Sequence, residues 1–209
     1  MKLIIIRHGE TKERAQGIRL GHIGGSLSEK GIKQAKMLAI RLKEEKIDHA
    51  YCSDLERCKL TLDELLKLNS IPTTYDMDLR EKTGGIYDGV EKHIYEEEIY
   101  RSGISKYKFR PKRGENMFDL KDRVERFYNK LLRNHNNDET ILISTSGNWI
   151  RIFIIVILLK TPLNQALYTL RIKNTSVSKI YFDKNLNYEI DVINCTKHLD
   201  QDLESISRN

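Results

Sequence analysis

The chain has 209 residues, 39% hydrophobic and 32% charged, with a formal net charge of +6 and a pI near 9.1. That length suits one domain with a full core, and 12 Gly with 3 Pro, among recurring apolar runs, exclude collagen-like, low-complexity and disordered chains. The basic balance favours anionic partners without choosing among nucleic acid, anionic lipid and phosphorylated metabolites.

Residues 3–6 are a continuous apolar run ending at Arg7-His8-Gly9, which predicts a buried parallel strand delivering a loop. Leu27-Ser28 opens a helix with Ile32, Ala35, Ala39 and Leu42 inward and Lys and Glu opposite. Residues 47–51 predict a second strand. Ser53-Asp54-Leu55-Glu56 has capping-box spacing and starts a helix carrying Leu55, Leu62, Leu65 and Leu66. Residues 73–75, entered through Ile71-Pro72, predict a third strand. Between 84 and 112 the periodicity fails, and the Tyr-, Lys- and Glu-rich stretch reads as a cap insertion with one short helix near 93–101.

Helical spacing resumes at Leu120, Val124, Phe127 and Leu131. Residues 141–144 predict a buried strand and 149–159 an apolar helix against the sheet. Residues 177–182 and 188–193 alternate like an edge hairpin turned at 183–187, and the charged stretch past Thr196 predicts a frayed tail. The pattern is one α/β domain over 1–195, a three-layer sandwich with a mostly parallel sheet and helices on both faces, then a charged tail at 196–209.

Cys52, Cys58 and Cys195 form no CxxC pair, which excludes a zinc knuckle and points to buried free thiols in a reducing cytosol. Four apolar residues before Arg7 are too few for a signal peptide. The apolar run at 152–159 is far short of the roughly 20 residues of a membrane helix. The expected compartment is the cytoplasm.

Sheets of this kind bind ligands beyond the carboxyl ends of their strands. Three strand ends therefore matter: Arg7-His8-Gly9, residues 53–57, and Thr145-Ser146-Gly147. Gly9 permits a ligand to approach the backbone. Arg57, one turn into the helix from Ser53, can point back to the edge that holds Arg7. Two guanidinium forks and a helix N-terminus make a phosphate site, and a neutral imidazole among them can attack phosphorus.

At this point the sequence resembles the histidine phosphatase superfamily, also called phosphoglycerate-mutase-like. The likeness is carried by RHGET after the apolar strand, by Leu27-Ser28 with Gly31, Gln34 and Ala35, and by Ser53, Leu55, Arg57 and Thr61. It continues in Leu79-Arg80-Glu81 with Gly85-Ile86-Tyr87-Asp88-Gly89, in Arg113-Gly114-Glu115-Asn116 and in Asn174-Thr175-Ser176.

The resemblance implies that His8 is the nucleophile that becomes phosphohistidine and that Arg7 and Arg57 clamp phosphate; Ser146 and Gly147, at the third strand end, are further phosphate-binding candidates. It implies that Glu81 protonates the leaving alkoxide and then activates water as a base. No metal or cofactor is implied, since the cationic pocket takes the developing charge. The implied activity is hydrolysis of small phosphorylated metabolites such as sugar phosphates, phosphoglycerate or an alpha-ribazole-like phosphate. The short cap favours a phosphatase over a phosphoglycerate-type mutase. Neither nucleic acid nor membrane is expected as a partner; the oligomeric state is open, a dimer included.

One departure is prominent. Where the family's strand-end motif S-H-G-G/N-x-x-R places a second histidine, this chain has Ser146, within Thr145-Ser146-Gly147-Asn148-Trp149-Ile150-Arg151. A hydroxyl carries no charge, and by analogy with a lost oxyanion donor the change costs about 10²–10³ in rate. A weakened phosphatase and a phosphate-binding pseudoenzyme or regulatory module are both compatible with it, and Ser146 also suits an N-cap. No GxSxG surrounds it, which excludes a serine hydrolase. The loop at 12–21, KERAQGIRLG, departs from the family's W-N and R-x-Q-G, and Arg19 and Gln16 are candidates to replace those contacts. His22 and His93 are candidates to replace the missing imidazole. Arg80 and Lys82 read as solvated, and Tyr87, Tyr95, Tyr100 and Tyr107 with Lys92, Lys106 and Lys108 read as a lid.

Overall fold

The structure, a computed structural model, describes residues 1–165 and 170–204. Its centre is β1 (Lys2–Arg7), KLIIIR. Strand side chains alternate between faces, so Leu3 and Ile5 enter one apolar cluster while Ile4 and Ile6 enter another. All four are fully shielded from solvent, which explains why this strand shows no polar alternation.

The chain continues through α1 (Lys12–Ala15), α2 (Glu29–Leu42), β2 (His49–Ser53), α3 (Glu56–Leu66) and β3 (Thr73–Asp76). The cap helix α4 (Lys92–Ser102) and the long α5 (Met117–Asn134) follow, then β4 (Thr140–Thr145) and α6 (Gly147–Arg151). A hairpin of β5 (Val177–Phe182) and β6 (Tyr188–Cys195) completes the sheet. Among the described residues, six strands form one sheet in the order β3-β2-β4-β1-β5-β6. The first four strands in chain order run parallel, and β5 and β6 add antiparallel pairings beside β1.

Leu38, Leu42, Leu62 and Leu65 bring α2 and α3 onto one face. Leu120, Val124, Phe127 and Trp149 bring α5 and α6 onto the other, giving the expected three-layer α/β sandwich. Arg7 pairs with Thr145, Cys52 with Ser144 and Ser53 with Asp76, so the carboxyl ends of the parallel strands meet at one edge.

Local packing corrects several expectations. The Ser28 hydroxyl caps α2 by accepting from Gly31 N at 3.0 Å, but Ile32 is 40% exposed, and Gln34 lies in the buried face instead. No capping box forms at Ser53, which ends β2; α3 starts behind Leu55 without a side-chain cap. Asp54 is drawn off by Arg80 in a forked pair at 2.7 and 2.5 Å, so Arg80 is paired rather than simply solvated. After α6 the helix widens to π winding over Ile152–Leu158, where Leu159 N donates to Ile154 O at 3.0 Å. Every residue there is buried, and a helix apolar all round has no polar face to mark such a change in the sequence.

Past Thr196 the chain up to residue 204 docks rather than frays. Gln34 Nε2 and Lys30 Nζ hold the carbonyls of Leu203 and Glu204 at 2.7 and 2.9 Å. Residues 205–209 of the expected tail lie outside the described residues. In the cap, Tyr95, Ile99 and Phe109 form a small apolar cluster with Tyr87 against it. Cys52 and Cys58 are buried free thiols, and Cys195 is partly buried. Among the described residues no helix is long and apolar enough to cross a membrane.

Truncating the centre of the sheet is expected to be costly. Ile5→Ala should lower unfolding free energy by about 2–5 kcal/mol through lost burial and a residual cavity. Ile32→Ala, on the exposed side of α2, should change it by about 0.5 kcal/mol or less. Urea denaturation measures both, and equal shifts would contradict this assignment of the core.

Candidate active site

The loop after β1 is fixed from several directions. His8 N donates to Thr145 O at 3.1 Å, and Asn174 Nδ2 donates to His8 O at 2.9 Å. Gly9 N donates to Thr61 Oγ1 at 2.9 Å, and that hydroxyl donates to Arg57 O at 2.7 Å, tying the loop to α3. Gly9 is required by protein, not by a ligand: a Cβ there would stand 2.7 Å from Gly31 O, and one on Gly31 would stand 2.0 Å from Glu10 O. The first turn of α2 thus lies directly against the loop.

His8 is 6% exposed, and its Nδ1 lies 2.7 Å from Gly9 O. A carbonyl only accepts, so Nδ1 carries the proton and the Nε2 lone pair is left free. Burial, then the charges of Arg57 and Arg7, hold the imidazole well below its ordinary proton affinity. It is neutral at pH 7.

Arg7 Nη1 donates to Ile172 O at 2.5 Å, and burial pushes the guanidinium down to about 10. Arg57, 1% exposed, holds the carbonyls of Ile23, Gly24 and Gly21 at 3.1, 2.9 and 2.7 Å. Arg57 is therefore also the anchor of the loop that follows α1. The Nε atoms of both arginines are buried without a partner. An orphaned buried donor is costly unless something supplies an acceptor, which an entering oxyanion does.

Glu81 Oε1 accepts from Lys82 N at 2.7 Å and Oε2 from Asn148 N at 3.2 Å. Burial raises its proton affinity, but these hydrogen bonds, with one from the Asn148 side chain and the charge of Arg57, bring the carboxyl below its ordinary range. Its backbone is fixed from α5: Arg123 reaches the carbonyls of Asp78, Arg80 and Glu81, and forks onto Glu115 at 2.9 and 2.9 Å. Glu115 of the RGEN segment thus supports the site without lining it.

These groups share a cleft of about 810 Å³. Arg7, His8, Arg57, Glu81 and Gly147 all line it, so five of the sequence-predicted site residues meet. Ser146 does not line it. Its fully buried hydroxyl lies 4.0 Å from Cys58 Sγ and makes no capping bond to α6. The hydroxyl is thus held on the α3 side and is not among the groups that line the cleft, where the sequence predicts a phosphate-binding role for it. His22 sits behind the site, its Nε2 2.6 Å from Glu81 O, and His93 is exposed beside Glu91; neither lines the cleft. Of the two loop candidates, Arg19 reaches the cleft and Gln16 does not.

Sequence reading missed Lys82. It is 5% exposed and lines the cleft, donating to Tyr95 OH at 3.1 Å and Glu115 O at 2.6 Å. A lysine beside a motif glutamate carries no sign of burial; only the cap, folding Tyr95 over it, creates one. Arg14, Arg151 and Asn174 also line the cleft, with Lys92 and Lys106 from the cap. Among the described residues no three His, Cys, Asp or Glu side chains stand close enough to share a metal ion.

Comparison with known proteins agrees with this geometry. The profile of the Histidine phosphatase superfamily (branch 1) matches residues 3–196. Phosphoserine phosphatase 1 of Hydrogenobacter thermophilus is 30% identical over 69% of this chain and 70% of its own length. The "Probable phosphatase C1687.21" of Schizosaccharomyces pombe is 38% identical over 43% of this chain, a span that is 44% of that protein. The solved structure of Bacillus stearothermophilus YhfR superposes with a TM-score of 0.85 at 25% identity, covering 94% of this chain and 98% of that one. The chain belongs to the histidine phosphatase superfamily, and the names of these relatives support a phosphatase.

The buried ammonium has a pH signature. Burial, then the charge of Arg19, pushes Lys82 down to about 8, so the cleft loses a positive charge as pH rises through that value. Sulfate, whose own charge is constant there, is expected to bind about three- to tenfold more weakly at pH 9 than at pH 7. Lys82→Met should flatten the profile. Calorimetric titration at both pH values measures it, and an unchanged slope in Lys82→Met would count against Lys82 as the source.

Proposed function

We propose that this member of the superfamily hydrolyses phosphomonoesters of small metabolites through a phosphohistidine at His8. The observation that carries the reading is the tautomer of His8: with Nδ1–H on Gly9 O, a neutral Nε2 faces a cleft lined by two arginines with unpartnered Nε atoms. In the first step Nε2 attacks phosphorus, and the bond to the leaving alkoxide breaks. Arg7 and Arg57 compensate the charge on the equatorial oxygens.

Glu81 is the acid and base. Its own hydrogen bonds and Arg57 hold it ionised, so the proton it delivers to the alkoxide comes from a monoanionic substrate or from solvent as that substrate enters. A phosphoryl dianion between the arginines supplies the opposing charge that favours this. After the alkoxide leaves with that proton, the same carboxylate accepts one from water, whose oxygen attacks the phosphohistidine and frees His8. The cap, which contributes one helix of 11 residues, is short for enclosing a bisphosphate, and this supports hydrolysis over internal transfer. Sugar phosphates, phosphoglycerate, an alpha-ribazole-like phosphate and phosphoserine form the substrate panel.

A second reading, a phosphate-binding pseudoenzyme, is favoured by the position of Ser146, whose hydroxyl faces Cys58 and adds nothing to the cleft. The two readings separate in one experiment. The hydrolase reading expects phosphate release from at least one ester and an acid-labile phosphoenzyme in rapid-quench samples. Both should fall by about 10³ or more in His8→Ala, with an increase of about 10²–10³ in Ser146→His. Retained phosphate binding without release by either the natural chain or Ser146→His would instead identify the binding module.

A further inference from the structure

The cations of the cleft sort by what each already holds. Arg57 is committed to three carbonyls and Arg7 to one. Arg151 donates to Leu170 O and Asn148 Oδ1 at 2.6 and 2.9 Å. Arg19 lies over the Tyr95 ring at 4.2 Å and donates to Lys82 O. Lys92 and Lys106 share Glu96 at 3.3 and 3.6 Å, Lys173 pairs with Glu204 at 3.2 Å, and Arg171 is engaged elsewhere. Arg14 differs: its backbone N is used, donating to Thr11 Oγ1 at 3.2 Å, but its guanidinium donates to no group among the described residues.

That cap fixes the backbone from which the free guanidinium extends. Thr11 is the last residue of the RHGET loop and also the N-cap of α1, so Arg14 is fixed to the segment that carries Arg7 and His8. It lines the same cleft as His8, Arg57 and Glu81. Arg14 is the largest charge effect on Arg7 and also lowers the proton affinity of His8, while Glu81 is the largest charge effect on Arg14 itself. Meanwhile the end of β4 places no charged group at the reaction centre, because the Ser146 hydroxyl is turned to Cys58.

We propose that Arg14 is a third phosphate-clamping arginine, whose guanidinium donates to non-bridging oxygens of the phosphoryl group at His8 and supplies the charge that Ser146 does not. The assignment rests on the reading of the cleft as a phosphate site. A fork of fixed N–H donors suits two oxygens of one phosphoryl group better than an ammonium does. The cost of bringing a third cation to the site is met by the dianion and lifted further as negative charge spreads in the transition state.

The test compares Arg14→Ala and Arg14→Lys with Lys12→Ala, a change at an exposed position of the same helix that does not line the cleft. Two measurements are made on each: affinity for inorganic phosphate by calorimetry, and kcat on p-nitrophenyl phosphate. Arg14→Ala should bind phosphate about tenfold more weakly and turn over about 10²-fold more slowly, Arg14→Lys should recover only part of both, and Lys12→Ala should stay within about twofold. Phosphate affinity and kcat of Arg14→Ala within about twofold of the natural chain would overturn the assignment and leave the hydrolase reading standing. Weakened phosphate binding in Arg14→Ala, in a chain that releases no phosphate from any ester, would sink hydrolysis and keep the Arg14 contact. Arg14 is exposed on a four-residue helix, and matching urea midpoints would confirm that the variants fold.

Discussion

The site depends on keeping positive charge in a place that water has left. Arg7 and Arg57 converge on His8 with Glu81 as the carboxylate among them, and burial alone works against every charge there. The chain resolves this with dipoles more than with counter-ions. Arg57 is surrounded by the carbonyls of Gly21, Ile23 and Gly24, Arg7 rests on that of Ile172, and the imidazole stays neutral. Carbonyls compensate a guanidinium only partly, so a positive potential persists in the cleft. An oriented field of this kind needs no rearrangement when an oxyanion develops, which is what makes it effective.

The rest of the fold serves that arrangement. The β1–β4 register sets Arg7 beside Thr145, and the contact of Gly9 with Gly31 brings α2 against the same loop. Buried Gln34 then joins two distant parts of the chain: its Oε1 accepts from Glu10 N at 2.9 Å while its Nε2 holds Leu203 O. On the other side, the Glu115–Arg123 pair fixes the carbonyls leading into Glu81. Positions that look catalytic by proximity to a motif are often of this supporting kind.

How much was legible in the sequence depended on the range of the interaction. The β1 run, the α5 stripe and the β5–β6 hairpin follow from period and composition, and their ends stand within three residues of the spacing that announces them. Arg7, His8 and Arg57 are legible because they stand at or just past strand ends, and Glu81 only through the resemblance of its Leu79-Arg80-Glu81 segment to the family motif. What failed was decided by partners far along the chain. Ser53 has no capping role because it is drawn into β2, paired with Asp76, and the helix starts only behind Leu55, while Lys82 is buried because the cap lays Tyr95 across it. The buried Ser146 hydroxyl lies against Cys58, a residue 88 positions earlier, which no local pattern encodes. Arg14 lies on a four-residue helix, too short for periodicity to detect.

The placement of β1 has a consequence for how such a molecule is assembled. Both of its hydrogen-bonded neighbours, β4 and β5, come from the other half of the chain. The central strand therefore cannot be nucleated by local contacts, and its closure entropy is met before any of its pairing is gained. Until then four consecutive aliphatic residues have both strand edges open, a segment suited to sticking to other chains. Since His8 follows directly on that strand, its place beside Arg7 and Thr145 is set only when the sheet closes. The cleft is thus assembled only with the finished sheet, and the fragile interval in this protein's life is the one before β1 finds its neighbours.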